Sequence, residues 1–221
     1  PYTIIERQGV KIAVLGMITP GIPMWLPENQ WSGLRFDDML QVAQQYMPEM
    51  RKKADIVVGL FHSGVGKDKG TPIAAENASV AVAEKVPGFD IVFCGHDHRR
   101  ANRRIVNTAG DSVWVLNPAA QAHAIAKADF TITLNGKKVV SKKVEGSLVD
   151  IDHLTPDADF MKTFATQFEQ GKKFTNDLVG KSQNTMESVP AFFGPSAFID
   201  FIHQMQLQIG KAEVSFAAPL A

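Results

Sequence analysis

The amino-acid sequence predicts an α/β protein, and three observations lead to this fold class. Apolar runs suited to buried strands alternate with segments in which apolar residues recur at helical spacing. The order strand, helix, strand, helix, strand predicts parallel βαβ units. Two of the apolar runs, 54–61 and 90–93, lead directly to histidines, so we expect polar side chains at the carboxyl edge of the sheet, where ligands collect.

The first 53 residues are predicted to form two strands (2–6 and 10–16), a long loop (17–35) and a helix (36 or 37 to 53). The strand segments are rich in β-forming residues, and the loop contains several prolines. Apolar residues recur at helical spacing in the last segment, with acidic residues at its start and basic residues at its end. Trp25 and Trp31 in the loop either pack on the domain or line a substrate cleft.

The glycine-rich loop after His62 has some features of a phosphate-binding loop. That motif requires a glycine, four arbitrary residues, and then Gly-Lys-Ser/Thr. Here Phe61 occupies the place of the first glycine, and Asp68 occupies the place of the Ser/Thr. The sequence therefore predicts a loop over 64–70 at the rim of a site rather than a phosphate cradle.

The remaining predicted elements are a helix (77–85), a strand (90–94), four β segments (104–108, 112–116, 122–134 and 137–145), a linker (146–156), a helix (157–176), a short strand (177–182), a helix (195–209) and a strand that begins at 213–216. The Asn135-Gly136 pair between two β segments is a strong hairpin signal. These four β segments should pair antiparallel. They either extend the first sheet or form a second sheet packed on it.

Composition excludes several classes of function. Lysine plus arginine equals aspartate plus glutamate, 23 each, so no basic excess indicates a nucleic-acid polymer or an anionic membrane as partner. The single cysteine, Cys94, excludes an internal disulfide. No apolar stretch approaches the ~18 residues of a membrane span. The chain opens at Pro1 without an initiator methionine, which suggests a processed or excised piece of a longer protein.

The candidate metal ligands are His62, His96 and His98. Two histidines at positions i and i+2 of extended backbone project to the same side, so both could reach one metal ion or two neighbouring ions roughly 3.5–4 Å apart. The alternative is that these are structural histidines in a polar turn. Imidazole ligands favour zinc, manganese, iron or cobalt over calcium. His123 either lines the cleft or is a strand residue.

The remaining histidines, His153 in the linker and His203 in the last helix, are not expected to bind metal. Three histidines do not complete a hydrolytic centre, because a dinuclear site needs a bridging carboxylate and further oxygen ligands. The first ~53 residues contain no Asp-x-His pair and no Gly-Asp-x-x-Asp or Gly-Asn-His run. We therefore expect no complete set of catalytic residues within this chain.

Two motifs carry a family resemblance. His62-Ser63-Gly64 after an apolar strand, followed by Gly95-His96-Asp97-His98, resembles the carboxyl-terminal half of a calcineurin-like metallophosphoesterase domain. More narrowly, the chain resembles the bacterial 5′-nucleotidase and 2′,3′-cyclic-nucleotide 2′-phosphodiesterase family. Supporting stretches are 16–23, 86–90, 193–198 and 200–204; the last two are similar to the start of that family's nucleotide-binding domain.

The resemblance implies a function as well as a fold. The fold would be the carboxyl-terminal half of a four-layer sandwich (1–146), a linker with a connecting helix (147–176) and the incomplete start of a nucleotide-binding α/β domain (177–221). His62 and His96 would bind one divalent ion and His98 the other, the two ions being Mn, Zn, Fe or Co. A metal-bound hydroxide would then attack phosphorus in a nucleotide.

The resemblance also implies an extracytoplasmic location and a missing amino-terminal half that supplies the carboxylates, so the piece alone should be inactive. The substrate-binding residues cannot be assigned, because the arginines and base-stacking aromatics of the family have no matching positions here. Two further functions stay open. One is a related hydrolase of nucleotide-sugar or thiosulfate-ester substrates, and the other is a binding fragment without catalytic activity.

Overall fold

The computed structural model describes residues 1–66 and 76–218, and the chain divides into two compact units. Unit 1 is Pro1–Thr155 and unit 2 is Pro156–Ala221. The predicted glycine-rich loop over 64–70 lies partly outside the described residues. The division into parts ending at 146 and 176 stays a prediction.

The described part of unit 1 contains eight strands, three α-helices and one 3₁₀ turn. The strands are β1 (Tyr2–Arg7), β2 (Val10–Ile18), β3 (Ile56–His62), β4 (Ile91–Cys94), β5 (Arg100–Val106), β6 (Ser112–Pro118), β7 (Ala124–Asn135) and β8 (Lys138–Asp150). The helices are α1 (Ile22–Trp25), α2 (Met39–Lys53) and α3 (Ser79–Lys85), with a 3₁₀ turn over Glu28–Gln30. The predicted α/β class is confirmed.

The main sheet has six strands in the order β1-β2-β3-β4-β6-β5. Its four central strands, β2, β3, β4 and β6, are parallel, and the two edge strands pair antiparallel with their neighbours. The predicted parallel βαβ units are thus confirmed. Strands β5 and β6 extend the first sheet, which was one of the two arrangements predicted for the second half of the sheet region.

Helices α2 and α3 cover one face of this sheet. The Asp38 side chain caps α2 by accepting a hydrogen bond from the Gln41 N–H at 2.9 Å. The apolar stripe of α2, which includes Ala43 and Met47, shares one buried cluster with Val57 of β3 and other inward residues of the sheet. Successive strand residues point to opposite faces, so only alternate positions of each strand enter this cluster.

Strands β7 and β8 form a second, two-stranded sheet that packs on the other face. The indole N–H of Trp114 donates to the Val144 carbonyl at 3.1 Å, and Gly146 lies so close to Trp114 that a Cβ there would be 3.0 Å from the ring. Strand β8 therefore continues through Gly146, where a linker was predicted. The hairpin turn is Gly136–Lys137, one residue later than predicted.

Unit 2 is helical in its described part. It contains α4 (Ala158–Asn176), a 3₁₀ turn (Val189–Phe192) and α5 (Ala197–Gly210). The side chains of Asp157 and Ser196 cap the two helices by accepting from backbone N–H groups three residues later. The described part of the chain has no helix with both the length and the apolar character needed to cross a membrane.

The strands predicted at 177–182 and 213–216 are wrong for the residues the structure describes. Val179 is fully exposed and Phe216 is 89% exposed, so neither segment packs its apolar side chains. A strand also requires a neighbour to satisfy its backbone N–H and C=O groups. Local β propensity predicted these segments, but no described neighbouring strand pairs with them.

A nearly buried carboxylate joins the two layers at the edge of the sheet opposite the histidines. Asp90, 8% exposed, accepts hydrogen bonds from the Arg51 guanidinium and from the Val57 backbone N–H, both at 2.8 Å. The Lys142 ammonium from β8 contacts its other oxygen at 2.6 Å. One side chain therefore links α2, β3, β4 and the second sheet.

We predict that Asp90→Ala lowers the free energy of unfolding by about 3 kcal/mol, near the lower end for a broken buried ion pair. The loss should not be larger because Arg51 and Lys142 keep 29% and 30% of their side-chain surface exposed and can be rehydrated. Urea denaturation measures the change. The matched control is Asp129→Ala, whose partner Lys127 lies at 2.7 Å on the exposed surface, and it should cost below about 1 kcal/mol. Equal losses would contradict the proposed role of Asp90.

Candidate functional site

The carboxyl ends of the four parallel strands meet at one edge of the main sheet. Ile18 of β2 pairs with His62 of β3, and the Thr19 N–H donates to the His62 carbonyl at 2.9 Å, so the two strands end together. Phe61 pairs with Cys94, so His62 lies just beyond the last pair of β3 and β4. Ligands collect at this kind of edge in parallel sheets, which makes it the candidate site.

His62 and His96 lie side by side at this edge. Their ring centroids are 5.0 Å apart, and the ring planes are inclined by 62°. The structure thus brings together two of the three histidines predicted from the sequence. His98, the third, is exposed and has a left-handed backbone with φ of 55°. In the ranges 1–66 and 76–218, no three His, Cys, Asp or Glu side chains form a group that could hold a metal ion.

Trp25 covers His96 from the side of β2. The two rings are stacked, with centroids 5.2 Å apart and an interplanar angle of 25°. This contact places Trp25 beside a candidate site residue, and its role in lining a substrate cleft stays a prediction. Trp31 instead donates its indole N–H to the Leu26 carbonyl at 3.0 Å and contacts Phe36, so it stabilises the loop.

Glu76 contacts His96, a relationship that sequence reasoning missed. Its Oε1 lies 2.7 Å from Nε2 of the imidazole. Glu76 is just ahead of α3, distant in sequence from both histidine motifs. Only its proximity to the predicted start of that helix could have drawn attention to it, and acidic residues are common at helix starts for electrostatic reasons alone.

The turn between His96 and His98 is held by Asp97. The Asp97 carboxylate accepts hydrogen bonds from the Val65 N–H at 2.9 Å and from the Asn117 amide at 2.7 Å. It therefore connects the segments that follow β3 and β4 to the end of β6. His96 has φ of 83°, a left-handed conformation that side-chain-bearing residues rarely adopt and that surrounding contacts must maintain.

The polar groups beside this turn pack closely. The Gly64 N–H donates to Oδ1 of Asn77 at 3.0 Å. A Cβ at Gly64 would lie 2.5 Å from Cγ of Asp97 and would also overlap the Asn77 amide oxygen. Glycine is therefore required here for close approach, which explains the His-Ser-Gly sequence that ends β3.

The other histidines have separate partners. His123 lies just before β7, with Nδ1 2.7 Å from an Asp152 carboxylate oxygen, and His203 in unit 2 has Nδ1 2.9 Å from the Ser215 hydroxyl. Cys94, at the end of β4, is buried, and this burial raises the pKa of its thiol to about 12. The thiol packs in the core cluster.

The donor chemistry of the edge suits a transition-metal ion. Two neutral imidazoles in contact can bind one divalent ion, and imidazole is a common ligand of zinc, iron and related metals. A carboxylate against the remote nitrogen of a ligating histidine is the usual second-shell arrangement. His62 and His96 therefore fit part of a metal centre, while the position of His98 leaves its assignment as a ligand a prediction.

Comparison with known proteins identifies relatives for almost the whole chain. A 2′,3′-cyclic-nucleotide 2′-phosphodiesterase/3′-nucleotidase from Haemophilus influenzae is 29% identical over 238 residues, covering 98% of this chain and 35% of the relative. A protein of the same name from Salmonella typhimurium is 38% identical over 101 residues, covering 43% of this chain and 15% of the relative. An uncharacterized metallophosphoesterase from Bacillus subtilis is 22% identical and covers 95% of this chain and 39% of the relative. No protein-family model matches the chain.

A solved structure shares the fold. The crystal structure of a putative 5′-nucleotidase from Staphylococcus aureus superimposes with a TM-score of 0.75 at 24% identity, covering 96% of this chain and 41% of that chain. A second, the calcineurin-like phosphoesterase YfkN from Bacillus subtilis, gives a TM-score of 0.63 at 20% identity over 80% of this chain and 59% of that one. At these identities the likeness demonstrates the fold.

In its fold, the chain is similar to solved structures that include a calcineurin-like phosphoesterase. More particularly, the chain is related to bacterial proteins named as 2′,3′-cyclic-nucleotide 2′-phosphodiesterase/3′-nucleotidases and 5′-nucleotidases, which are enzymes by name. The family resemblance predicted from the two histidine motifs is confirmed. The chain spans about a third of the length of the Haemophilus relative.

We predict that Gly64→Ala destabilises unit 1 by about 1–3 kcal/mol, the usual cost of overpacking a close contact. The added methyl group would displace Asn77 and Asp97, which hold the turn that carries His96. Thermal unfolding followed by circular dichroism measures the loss. Gly95→Ala is the matched control, because a Cβ there meets nothing within 4 Å, and it should unfold within a degree or two of the parent chain. Indistinguishable melting curves for the two variants would contradict the packing argument.

Proposed function

We propose that this chain contributes His62, His96 and His98 to the dinuclear metal centre of a phosphoester hydrolase that acts on nucleotides. The observation that carries the proposal is the pair of imidazoles, 5.0 Å apart, at the carboxyl ends of two adjacent parallel strands. The names of the relatives support the reaction class and the use of metal. The substrates would be 2′,3′-cyclic nucleotides, 3′-nucleotides or 5′-nucleotides.

The proposed centre contains two divalent ions chosen from Mn, Zn, Fe and Co. When bound, such ions activate water for attack at phosphorus and stabilise the negative charge that develops there. His62 and His96 would hold one ion, and His98 would hold the second. Trp25, stacked on His96, excludes water from one side of that ring and limits its rotation.

The proposal assigns the remaining ligands to a longer polypeptide that includes this chain. Its relatives are two to three times as long, and the described residues beside the two rings supply few anionic groups. We propose an extracytoplasmic location for that protein, as the family resemblance implies. In this view residues 1–221 expressed alone release no phosphate from nucleotides.

The test compares the product of the complete reading frame with variants of its histidines. The assays are Mn²⁺-dependent phosphate release from 3′-AMP or 5′-AMP and hydrolysis of 2′,3′-cyclic AMP. We expect His62→Ala and His96→Ala each to lower the rate by at least about 100-fold. Losing a ligand should cost more than losing a second-shell partner, which typically costs 10–100-fold. Rates are measured before and after removal of metal with EDTA.

His153→Ala is the control, because this exposed residue lies in the turn after β8 and is not among the three predicted ligands. It should keep the parent rate. Parent-like hydrolysis by His96→Ala, or an EDTA-resistant rate, would contradict the proposed centre. Hydrolysis of a thiosulfate ester or a nucleotide sugar in preference to every nucleotide tested would contradict the proposed substrate class.

A further inference from the structure

Two histidine–carboxylate pairs occur among the residues that the structure describes in unit 1, and one of them lies in the candidate site. Glu76 contacts Nε2 of His96 at 2.7 Å, whereas Asp152 contacts Nδ1 of His123 at the same distance. We propose that Glu76 is a positioning residue that holds Nε2 of His96 and thereby presents Nδ1 as the metal-binding nitrogen. This inference rests on the proposed function of His96 as a ligand.

The chemistry of the contact determines which nitrogen is free. A neutral imidazole carries one N–H donor and one nitrogen lone pair, and an ionised carboxylate can only accept. The 2.7 Å separation is that of a charge-assisted hydrogen bond. The proton therefore sits on Nε2, directed at Oε1 of Glu76, and the lone pair on Nδ1 is left for a metal ion.

Two ring contacts keep the imidazole in this orientation. Trp25 is stacked on one side of His96, and the His62 ring meets it edge to face. The His96 side chain is only 17% exposed, while Glu76 is 44% exposed. Exchanging the two nitrogens by a flip of the ring would break the Glu76 contact, so this contact favours one orientation, while the two ring contacts hold the plane of the imidazole.

Glu76 is itself tied to the strand that carries His62. Its backbone carbonyl accepts a hydrogen bond from the Ser63 hydroxyl at 2.8 Å, and the same hydroxyl accepts from the Ala78 N–H at 2.9 Å. Ser63 is fully buried and directly follows His62. One buried serine therefore fixes Glu76 relative to β3, and through the Glu76 carboxylate the His96 ring is placed against His62.

If Glu76 competed with the metal ion for His96, the effect of its removal on metal affinity would have the opposite sign. If Nε2 were the ligating atom, Glu76 would compete with the metal ion for His96, and its removal would strengthen metal binding. A second-shell carboxylate instead raises the basicity of the ligand and fixes its tautomer, so its removal weakens binding, typically by 10–100-fold. The sign of the change therefore distinguishes positioning from competition.

The experiment uses the ¹⁵N-labelled 221-residue chain and Zn²⁺, a diamagnetic probe. In the metal-free chain at pH 8, we expect the long-range ¹H–¹⁵N spectrum to show His96 with a protonated Nε2. This proton should exchange slowly with water, and the slow exchange should be lost in Glu76→Ala. On addition of Zn²⁺, the Nδ1 resonance should move while the Nε2 proton persists. Loss of that proton on binding would overturn the proposal.

Zn²⁺ affinity, measured by calorimetry, provides the second readout. We expect Glu76→Ala to weaken binding by about 10–100-fold, and Glu76→Gln to fall between it and the parent chain, because glutamine keeps an acceptor but not the charge. Asp152→Ala removes the other histidine–carboxylate pair and should leave both the affinity and the His96 spectrum unchanged. Tighter or unchanged binding in Glu76→Ala would overturn the proposal.

Different results would contradict the proposed metal centre and the proposed positioning role of Glu76. If the 221-residue chain shows the slowly exchanging Nε2 proton but the product of the complete reading frame binds no divalent ion, the proposed metal centre is overturned, while the positioning of His96 by Glu76 is retained. If Zn²⁺ binds and shifts the His62 and His96 resonances equally in the parent and Glu76→Ala, the metal centre stands and Glu76 has no positioning role.

Discussion

The parallel pairing of β3 with β4 is the constraint on which the site depends. Because Phe61 is opposite Cys94, each strand places its histidine one or two residues beyond the last pair. No long-range ion pair is needed to bring the two imidazoles together, since the register of the sheet does so. The Asp90 network at the other edge secures the same strands to α2 and to the second sheet, so the register is held from both ends.

The loops at the carboxyl edge are held by polar groups rather than by apolar packing. Asp97 accepts from the segment after β3 and from the end of β6. Ser63 joins the end of β3 to the residues just before α3. A buried carboxylate with its hydrogen bonds satisfied can keep the left-handed backbone at His96 in place, at a cost of about 1–3 kcal/mol in local strain. Rigidity at this edge matters because ligand geometry tolerates little displacement.

The parts of the structure that sequence reasoning predicted correctly are those with a local signal. Helix α2 has an acidic cap, a helical apolar stripe and a basic end; it ends at Lys53 as predicted and begins at Met39, two or three residues later than predicted. The histidine pair could be predicted because two apolar runs end beside it. Strand β8 was predicted too short, since the packing of Gly146 against Trp114 is a tertiary contact without local sequence pattern. Glu76 was missed for the same reason, as its contact with His96 spans twenty residues.

Charge explains why histidines alone cannot form the proposed centre. Two divalent ions bring four positive charges, and neutral imidazoles compensate none of them. Uncompensated charge in a partly buried site is costly, so such centres include carboxylates as ligands and bridges. Of the carboxylates that the structure describes beside the rings, Asp97 accepts from the Val65 and Asn117 donors, and Glu76 contacts His96. In the proposed enzyme these two serve as second-shell groups, and the anionic first shell must come from residues outside this pair of loops.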